Sequence, residues 1–381
     1  MKATARWRSS SWISSCPISR GRWRCRGRPG WHSRQLPDRP RRRRRHRVAR
    51  LAAVKRVTAG HASAGDPILP PVVVIAGPTA AGKSRLALGL ADAFAGTVIN
   101  ADSMQVYREL RVLTARPSPA DEAEVPHRLY GILPGAERCS AGRWRALAMA
   151  AINEAWAAGR LPLVVGGTGF YMKVLREGLS PIPHVPAELR AEARRLHAHI
   201  GPERFRDAVA AIDPDTAARL PAGDTQRLIR AWEVHAATGI PLSRWHRQAP
   251  AEKPSPARFA TIVVAPHREH LNAAIEARFR RMIEAGAIDE VRRLLALDLD
   301  PSLPVMKAAG VRELAAFLQG TLTLDAACNA ATRATRAIAK RQMTWLRHQV
   351  AADLTLTAQH SETLTQGIFA FIRRFLLTRG E

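Results

Sequence analysis

The stretch Gly77-Pro-Thr-Ala-Ala-Gly-Lys-Ser84 decides the fold, because its spacing of glycines, lysine and serine is that of a P-loop. The apolar run Val72–Ala76 before it predicts a buried strand, and Arg85–Phe94 after it predicts a helix. A glycine loop between a strand and a helix aims backbone N–H groups and the helix dipole at a polyphosphate. Lys83 can neutralise phosphate oxygens, and the Ser84 hydroxyl can hold Mg²⁺. A glycine-rich turn that only packs a helix on a strand would leave these two side chains unexplained.

Two further predicted strands end in polar residues. Thr97–Ala101 predicts a strand that is followed by Asp102, and Leu161–Val165 predicts one that is followed by Gly-Gly-Thr-Gly at 166–169. In an open α/β sheet, ligands bind beyond the carboxyl ends of the strands. Position alone makes Asp102 either an acid or base beside the phosphates or only the cap of a following helix. The glycines allow close backbone approach to a ligand, and Thr168 presents a hydroxyl beside it.

The order of predicted elements indicates an α/β protein with a P-loop NTPase-like core. We expect a central, mainly parallel sheet flanked by helices, plus an all-helical insertion domain between proline-rich hinges at 181–186 and 250–256. After the insertion, Phe259–Ala265 predicts another strand. The predicted segments are a disordered extension at 1–66, the first part of the core at 67–186, the insertion domain at 187–258, the second part of the core with basic helices at 259–350, and a helical tail at 351–381, amphipathic over 363–377.

The positive charge of the chain is concentrated near its start. Residues 1–66 hold 19 of the 59 Lys and Arg and two of the 32 acidic residues, out of a net charge of +27. Their Arg, Ser and Pro content and their lack of apolar periodicity predict disorder. A mis-assigned translation start, a transit peptide and an RNA-binding arm remain open for this extension. The rest of the chain is moderately basic, which suits a surface that follows a phosphate backbone.

Cysteines and apolar runs limit the class of protein further. The four cysteines, at 16, 25, 139 and 328, form no C-x-x-C pair and have no histidine partners at zinc spacing. No apolar run has the length of a membrane span. We therefore expect a cytoplasmic monomer with no metal cluster and no membrane association.

Two segments carry basic side chains in patterns suited to RNA. In the predicted helix 329–348, four basic residues share one side, while Ile338 and Trp345 lie on another side that we expect to pack on the core. The basic residues are Arg333, Arg336, Lys340 and Arg347. A solvated helix face is the alternative. In Gln226–Arg230, an amide and two guanidinium groups border an apolar helix.

These motifs together resemble those of the tRNA dimethylallyltransferases, or tRNA isopentenyltransferases. The matching stretches follow the family's order and cover about residues 70–350. They are GPTAAGKS (77–84), NADSMQVYRELRVLTARPS (100–118), PHRLYG (126–131), GGTGFYMKVLREGLSPIP (166–183), DTQRLIRAWEV (224–234), ARFRRMIEAGAIDEV (277–291) and ATRAIAKRQMTWLR (334–347).

The resemblance implies transfer of the dimethylallyl group from dimethylallyl diphosphate to N6 of adenosine 37, beside a tRNA anticodon. By the same resemblance Asp102 is the general base, Thr168 orients the bridging oxygen or the nucleophile, and Arg278 stabilises charge on the leaving pyrophosphate. The residues implied to cradle the diphosphate with Mg²⁺ are Gly77, Pro78, Thr79, Ala80, Ala81, Gly82, Lys83 and Ser84. The implied tRNA contacts are Asp102, Ser103, Met104, Gln105, Thr168, Arg190, Gln226, Arg227, Leu228, Ile229, Arg230, Lys307, Ala308, Ala309, Gly310, Val311 and Arg312.

Two other functions are compatible with a P-loop. A small-molecule or nucleotide kinase would use a triphosphate donor and an Arg-rich lid, and it leaves the basic segments unexplained. An RNA-binding NTPase or switch would need a strand that ends in a Mg²⁺-binding Asp, and the sequence has no convincing one. The nature of the donor separates these three functions.

A protein truncated to begin near Pro67 should keep its turnover, because every predicted site element lies beyond that residue. Its binding to unrelated RNA should weaken and become less salt-sensitive, since each lost phosphate contact removes roughly 0.7–0.9 from the log–log salt slope. Salt titrations of both proteins with a nonspecific RNA measure this change. Loss of turnover on truncation would contradict the predicted boundary.

Overall fold

The computed structural model describes residues 69–249, 255–357 and 362–378. These residues belong to one compact unit. The predictions for the extension 1–66 fall outside the described residues, and so does most of the predicted hinge at 250–256. The predicted boundaries between core and insertion stay predictions, whereas the secondary structure on each side of them can be examined directly.

In the described part of the chain, six strands form one sheet, and every neighbouring pair is parallel. The strands are β1 (Pro71–Ala76), β2 (Gly96–Asn100), β3 (His127–Arg128), β4 (Leu161–Gly166), β5 (Arg258–Val264) and β6 (Leu354–Leu356). Their order across the sheet is β3-β2-β4-β1-β5-β6. In the middle, Ile75 of β1 lies between Val165 of β4 and Ile262 of β5. The loops that follow β1, β2 and β4 therefore meet at one edge of the sheet.

Helices cover the sheet and build the rest of the unit. They are α1 (Lys83–Ala93), α2 (Pro119–Glu124), α3 (Ala141–Ala157), α4 (Gly169–Glu177), α5 (Ala187–Ile200), α6 (Pro202–Ile212), α7 (Pro214–Arg219), α8 (Thr225–Thr238), α9 (Leu242–Trp245), α10 (Arg268–Glu284), α11 (Ala287–Leu295), α12 (Val311–Leu318), α13 (Leu324–Gln349) and α14 (Glu362–Leu377). A 3-10 turn spans Val305–Lys307.

Both faces of the sheet are buried, which explains why its long strands are almost entirely apolar. Successive side chains of a strand point to opposite faces. Val72 and Val74 of β1 accordingly belong to one apolar layer, together with the buried Trp144 of α3. Val73 and Ile75 belong to the layer on the other face, with the apolar side of α1. Trp144 also donates from Nε1 to the Asn100 carbonyl oxygen at 2.9 Å, which ties α3 to the end of β2.

Helices α5 to α9 have an apolar cluster of their own, in which Phe205 and Leu228 are fully buried. The buried Asp213 joins α7 to α9. Its carboxylate accepts hydrogen bonds from the Thr216 backbone N–H and hydroxyl and from the Ser243 N–H at 2.9 Å. These bonds hold the pKa of Asp213 below its usual value despite burial. The described residues between 187 and 249 thus form helices and no strand, as the sequence predicted.

Two short strands were not predicted. β3 has two residues and β6 has three, too few to give a recognisable alternation of apolar and polar side chains. The segment 351–381, predicted as a helical tail, therefore contains an edge strand as well as the predicted helix α14. β6 pairs with β5, and the Asp353 carboxylate accepts a hydrogen bond from the Thr261 N–H at 2.7 Å. This contact with β5 is long-range in sequence, so the local pattern could not indicate it.

A buried carboxylate holds the irregular segment that follows β2. Glu290 of α11 is 4% exposed and accepts three backbone hydrogen bonds, from Arg111, Val112 and Leu113, at 2.6, 2.9 and 2.8 Å. Residues 102–118 form turns rather than a helix or strand, so their buried N–H groups need side-chain acceptors. Glu290 supplies the acceptor for three of them.

Replacing Glu290 with Ala should lower the free energy of unfolding by about 3 kcal/mol or more, since it leaves buried backbone donors without an acceptor. Chemical denaturation measures the change. The exposed Glu284 of α10 is the matched control, and Glu284→Ala should have almost no effect. Similar stability of the two variants would mean that the three hydrogen bonds contribute little.

Candidate active site

A cavity of about 130 Å³ lies where the loops after β1, β2 and β4 meet α10 and α13. Its walls divide into a polar and an apolar part. The polar part includes Thr79, Asp102, Thr168, Arg278 and Gln342. The apolar part includes Leu113, Ile275, Phe279, Met282 and Ile338. The cavity thus offers a charged end next to the P-loop and a hydrophobic wall beside it.

The P-loop depends on two glycines. Gly77 is buried, and a Cβ atom there would lie 2.6 Å from the carbonyl oxygen of Val264, so only glycine lets β1 and β5 end side by side. Gly82 precedes α1 with a φ of 93°, a left-handed conformation that glycine adopts without strain. No side chain caps α1. The backbone N–H groups of its first turn are therefore available to an anion.

Lys83 and Ser84 begin α1 at the mouth of this loop. The Lys83 ammonium donates to the Pro78 carbonyl oxygen at 2.8 Å. Burial lowers the pKa of Lys83 to about 8, while nearby Asp102 raises it and Arg278 lowers it further. Ser84 is exposed, with its hydroxyl accessible at the helix start. The assignment of Lys83 to a phosphate and of Ser84 to Mg²⁺ stays a prediction.

Thr79 lies between two distant parts of the chain. Its hydroxyl accepts a hydrogen bond from the Arg278 guanidinium on α10. Its backbone N–H donates to Gln342 Oε1 on α13 at 2.9 Å. Burial lowers the pKa of Arg278 and the carboxylate of Asp102 raises it. Arg278 thus lies beside the P-loop. The role toward a leaving pyrophosphate that the family resemblance implies for it stays a prediction.

Asp102 follows β2 in a turn. Its Oδ1 accepts from the Met104 N–H at 2.9 Å, and Asn100 Oδ1 accepts from the Asp102 N–H at 2.8 Å. No helix begins there, so the alternative that Asp102 caps a helix is wrong. The carboxylate is half-buried in the cavity wall, and its Oδ2 has no hydrogen bond to the described residues. That oxygen can accept a proton from a bound ligand.

Thr168 links the loops after β2 and β4. Its hydroxyl accepts from the Ser103 N–H at 2.9 Å and donates to the Ser103 hydroxyl at 3.3 Å. Gly166 permits this approach, because a Cβ atom there would overlap the backbone of Ala101. The structure therefore places Thr168 in contact with the turn after β2 that contains Asp102 and Ser103. Its expected role toward a bridging oxygen stays a prediction.

Comparison with known proteins identifies the family. The IPP transferase family model matches residues 105–349, and the isopentenyl transferase model matches residues 70–133. The tRNA dimethylallyltransferase of Rhodospirillum centenum is 59% identical over 286 residues, 75% of this chain and 91% of the relative. That of Paramagnetospirillum magneticum is 54% identical over 308 residues, 81% and 98%. This chain belongs to the tRNA dimethylallyltransferase family.

Solved structures of similar proteins agree with this family and with the fold. The full-length tRNA isopentenylpyrophosphate transferase from Bacillus halodurans has a TM-score of 0.58 at 30% identity, over 80% of this chain and 96% of that one. A eukaryotic dimethylallyltransferase acting on tRNA has a TM-score of 0.70 at 25% identity, over 82% and 80%. The predicted fold and prenyl-transfer activity are thereby confirmed. The kinase and switch alternatives receive no support.

The segments that the family resemblance assigned to tRNA lie in different environments. Ser103, Met104, Ala308 and Ala309 line the cavity. The Gln105 amide instead donates to the Thr114 and Ala115 carbonyl oxygens, both at 2.9 Å, and holds its own loop. Gln226, Arg227, Lys307 and Arg312 are exposed. These four can meet a polyanion directly.

Leu228 and Val311 require a correction. They are 0% and 1% exposed, because each lies on the apolar side of an amphipathic helix, so their side chains pack in the core and do not contact RNA. In the first case the helix is α8, and Arg230 on it pairs with Glu233 at 2.7 Å. Ile229 is half-buried beside them, and so is Arg190 on α5. Gly310 precedes Val311 with a φ of 94°, which turns the chain into α12.

The predicted basic helix is part of α13, and two of its residues differ from expectation. Arg336 pairs with Glu276 of α10 at 3.1 Å and is half-buried, so it holds two helices together. Ile338 lines the cavity rather than the core. Trp345 packs against Gly169 at the start of α4, as a core residue would. Arg333, Lys340 and Arg347 are exposed.

The structure adds a role for one predicted residue of the site and one residue that was not predicted. Thr79 was predicted only as one residue of the P-loop, without a role for its hydroxyl, and no sequence pattern assigned a role to Gln342. Gln342 follows Thr335 and Ile338 by seven and four residues, so the three share one side of α13. That spacing could have indicated a cavity-facing amide once one member of the row was assigned.

The described residues were also searched for a metal cluster, a membrane-spanning helix and a reactive thiol. They contain no group of three or more His, Cys, Asp or Glu side chains arranged to hold a metal ion. Among the same residues, no helix is long and apolar enough to cross a membrane. Cys139 and Cys328 are half-buried free thiols whose pKa values are raised by burial. Such thiols are poor nucleophiles.

Proposed function

We propose that this protein transfers the dimethylallyl group of dimethylallyl diphosphate to N6 of adenosine 37 in tRNA and releases diphosphate. The observation that carries the proposal is a cavity in which a P-loop, a guanidinium and a carboxylate lie beside an apolar wall. The P-loop and Arg278 suit a diphosphate, and the apolar wall suits a five-carbon allyl group. The carboxylate suits an incoming amine that must lose a proton.

The P-loop side of the cavity binds the leaving group. The N–H groups at the start of α1 and the Lys83 ammonium face the phosphate oxygens, with Arg278 held beside them by Thr79. As the bond between C1 and the bridging oxygen breaks, negative charge accumulates on the diphosphate. Fixed donors and cations lower the energy of that charge without reorganising during the reaction.

Protein side chains supply only some of the ligands that Mg²⁺ would need at this site. The exposed Ser84 hydroxyl is an oxygen ligand of the type that Mg²⁺ prefers. Because Mg²⁺ often keeps several waters and binds substrate phosphates, Ser84 and the diphosphate would hold it. When bound, the ion neutralises charge on the diphosphate.

Asp102 acts on the acceptor. The exocyclic N6 amine of adenine is a poor nucleophile, so it must be held in line with C1 and lose a proton as the new bond forms. The free Oδ2 of Asp102 accepts that proton, while Oδ1 stays bonded to the Met104 N–H. The adenine must leave its stack to reach the cavity, at a cost of a few kcal/mol.

The exposed basic residues suit the anticodon stem-loop of tRNA as partner. Lys307 and Arg312 flank the cavity-lining segment Ala308–Ala309. Arg227 and Gln226 begin α8, and Lys340 and Arg347 extend along α13. Cations at these positions would contact phosphates and position the loop without reading its sequence.

Incubation with undermodified tRNA and either labelled dimethylallyl diphosphate or labelled ATP tests the proposal. Label should pass to tRNA from the allyl diphosphate and require added Mg²⁺. Transfer from ATP, or none from the allyl diphosphate to any tRNA, would contradict the proposed reaction. An unlabelled tRNA in which adenosine 37 is replaced by guanosine serves as the control and should accept no label.

Lys83→Ala should reduce kcat/KM by about 10²-fold, a loss on the order of 3 kcal/mol in transition-state stabilisation, because it removes a charge directed at the leaving group. Steady-state kinetics with varied allyl diphosphate measures the loss. Arg85→Ala is the matched control on the same helix, since Arg85 is exposed outside the cavity. Equal turnover by the Lys83 variant and the wild type would exclude Lys83 from the chemistry.

Asp102→Asn should lower turnover by about 10²–10⁴ while tRNA affinity changes much less. Asparagine retains the oxygen that accepts from the Met104 N–H but does not accept the proton. Single-turnover rates and a tRNA binding isotherm, measured on the same protein, separate the two effects. Retained turnover with normal stability would refute the assignment of Asp102 as base.

A further inference from the structure

Gln342 of α13 has a fixed orientation in the cavity wall. Its carboxamide oxygen accepts a hydrogen bond from the Thr79 N–H at 2.9 Å, although the two residues are 263 positions apart in the chain. A backbone N–H can only donate, so the oxygen and not the nitrogen of the carboxamide must face Thr79. The amide nitrogen is therefore turned away from the Thr79 N–H.

The amide nitrogen lies directly over the second glycine of the Gly-Gly-Thr-Gly segment. A Cβ atom at Gly167 would overlap Gln342 Nε2, and it would lie 3.1 Å from the carboxamide carbon. The nitrogen thus occupies the space between the P-loop and the loop after β4. Within the described residues it has no hydrogen-bond acceptor, even though Gln342 lines the cavity. Gln342 is half-buried, so a ligand that enters the cavity can reach this amide donor.

The neighbouring polar groups already have partners. Arg278 donates to the Thr79 hydroxyl, Lys83 donates to the Pro78 carbonyl oxygen, and Thr168 donates to Ser103. Lys83 and Arg278 keep further N–H bonds for a ligand, and both N–H bonds of Gln342 Nε2 have no partner among the described residues. This amide nitrogen is an uncharged donor that cannot bind a cation. Its partner must therefore be a hydrogen-bond acceptor such as a phosphate oxygen.

We propose that Gln342 is a substrate-binding residue that donates from Nε2 to an oxygen of the donor diphosphate, with its own oxygen anchored on the Thr79 N–H. The inference rests on the proposed function, because it takes the diphosphate as the ligand of the P-loop. A neutral donor held at this position gains strength as negative charge grows on the leaving group. The closeness of Gln342 also explains glycine at 167, since any larger residue would displace the amide.

Two substitutions separate donation from anchoring. Gln342→Glu keeps an oxygen for the Thr79 N–H, removes the donor and adds negative charge. Gln342→Met removes both hydrogen bonds while keeping a side chain of similar length. Gln349→Glu is the matched control, because Gln349 is exposed on the same helix and its amide oxygen lies 3.4 Å from Lys173 Nζ.

The measurement is the affinity for dimethylallyl diphosphate with Mg²⁺ by titration calorimetry, together with tRNA affinity and melting temperature. Gln342→Glu should weaken donor binding by about tenfold or more, as expected for loss of a hydrogen bond to a charged group plus added repulsion. Gln342→Met should weaken it by a smaller factor. Both variants should retain tRNA affinity, and Gln349→Glu should bind the donor as the wild type does.

Donor binding by Gln342→Glu at wild-type affinity would overturn the proposal, because it would leave anchoring of Thr79 as the role of Gln342. A parallel loss of donor binding, tRNA binding and melting temperature in both variants would also overturn it, in favour of a packing role. Failure of the wild-type protein to bind the allyl diphosphate would instead contradict the proposed function and this inference together. The wild-type titration therefore distinguishes the two failures.

Discussion

The close contact between the ends of β1 and β5 determines the geometry of the site. A side chain at position 77 would collide with the Val264 carbonyl oxygen. Glycine there lets the end of β1 lie against β5 and fixes the position at which the P-loop begins. Parallel pairing then brings the loops after β2 and β4 to the same edge. Asp102 and Thr168 reach the cavity because of this topology, although neither is near the P-loop in sequence.

Two helices in the C-terminal half of the chain, α10 and α13, complete the polar end of the cavity. Thr79 is bonded through its hydroxyl to α10 and through its N–H to α13, and the Arg336–Glu276 ion pair joins those two helices to each other. Thr79 thus ties the P-loop to both helices before any ligand arrives, while Asp102 Oδ2 and Gln342 Nε2 have no partner among the described residues. A diphosphate would exchange some of these internal bonds, such as that of Lys83 to Pro78, for bonds to its own oxygens.

Local sequence patterns predicted the parts of the fold that are locally encoded. The apolar runs of β1, β2, β4 and β5 and the glycine spacing at 77–84 indicated the core and the phosphate site. The short strands β3 and β6 carry too few residues for a pattern. The burial of Leu228 and Val311 follows from the apolar sides of their helices. The cavity position of Ile338 and the contact of Gln342 with Thr79 depend instead on packing between distant segments, which no local period encodes. The family resemblance assigned whole segments to tRNA. Within one helical segment, however, some side chains are exposed and others are buried, so only some of the assigned residues can contact RNA.

The carboxylate of Glu290 has a consequence for how this protein can vary. An irregular loop usually tolerates insertions and deletions, because few of its backbone groups have fixed partners. Between Arg111 and Leu113, three consecutive N–H groups converge on one side chain of α11, so adding or removing one residue would move Leu113 and Thr114 out of the cavity wall. The length of this loop is thus as constrained as that of a strand, and sequence variation there should be limited to side chains.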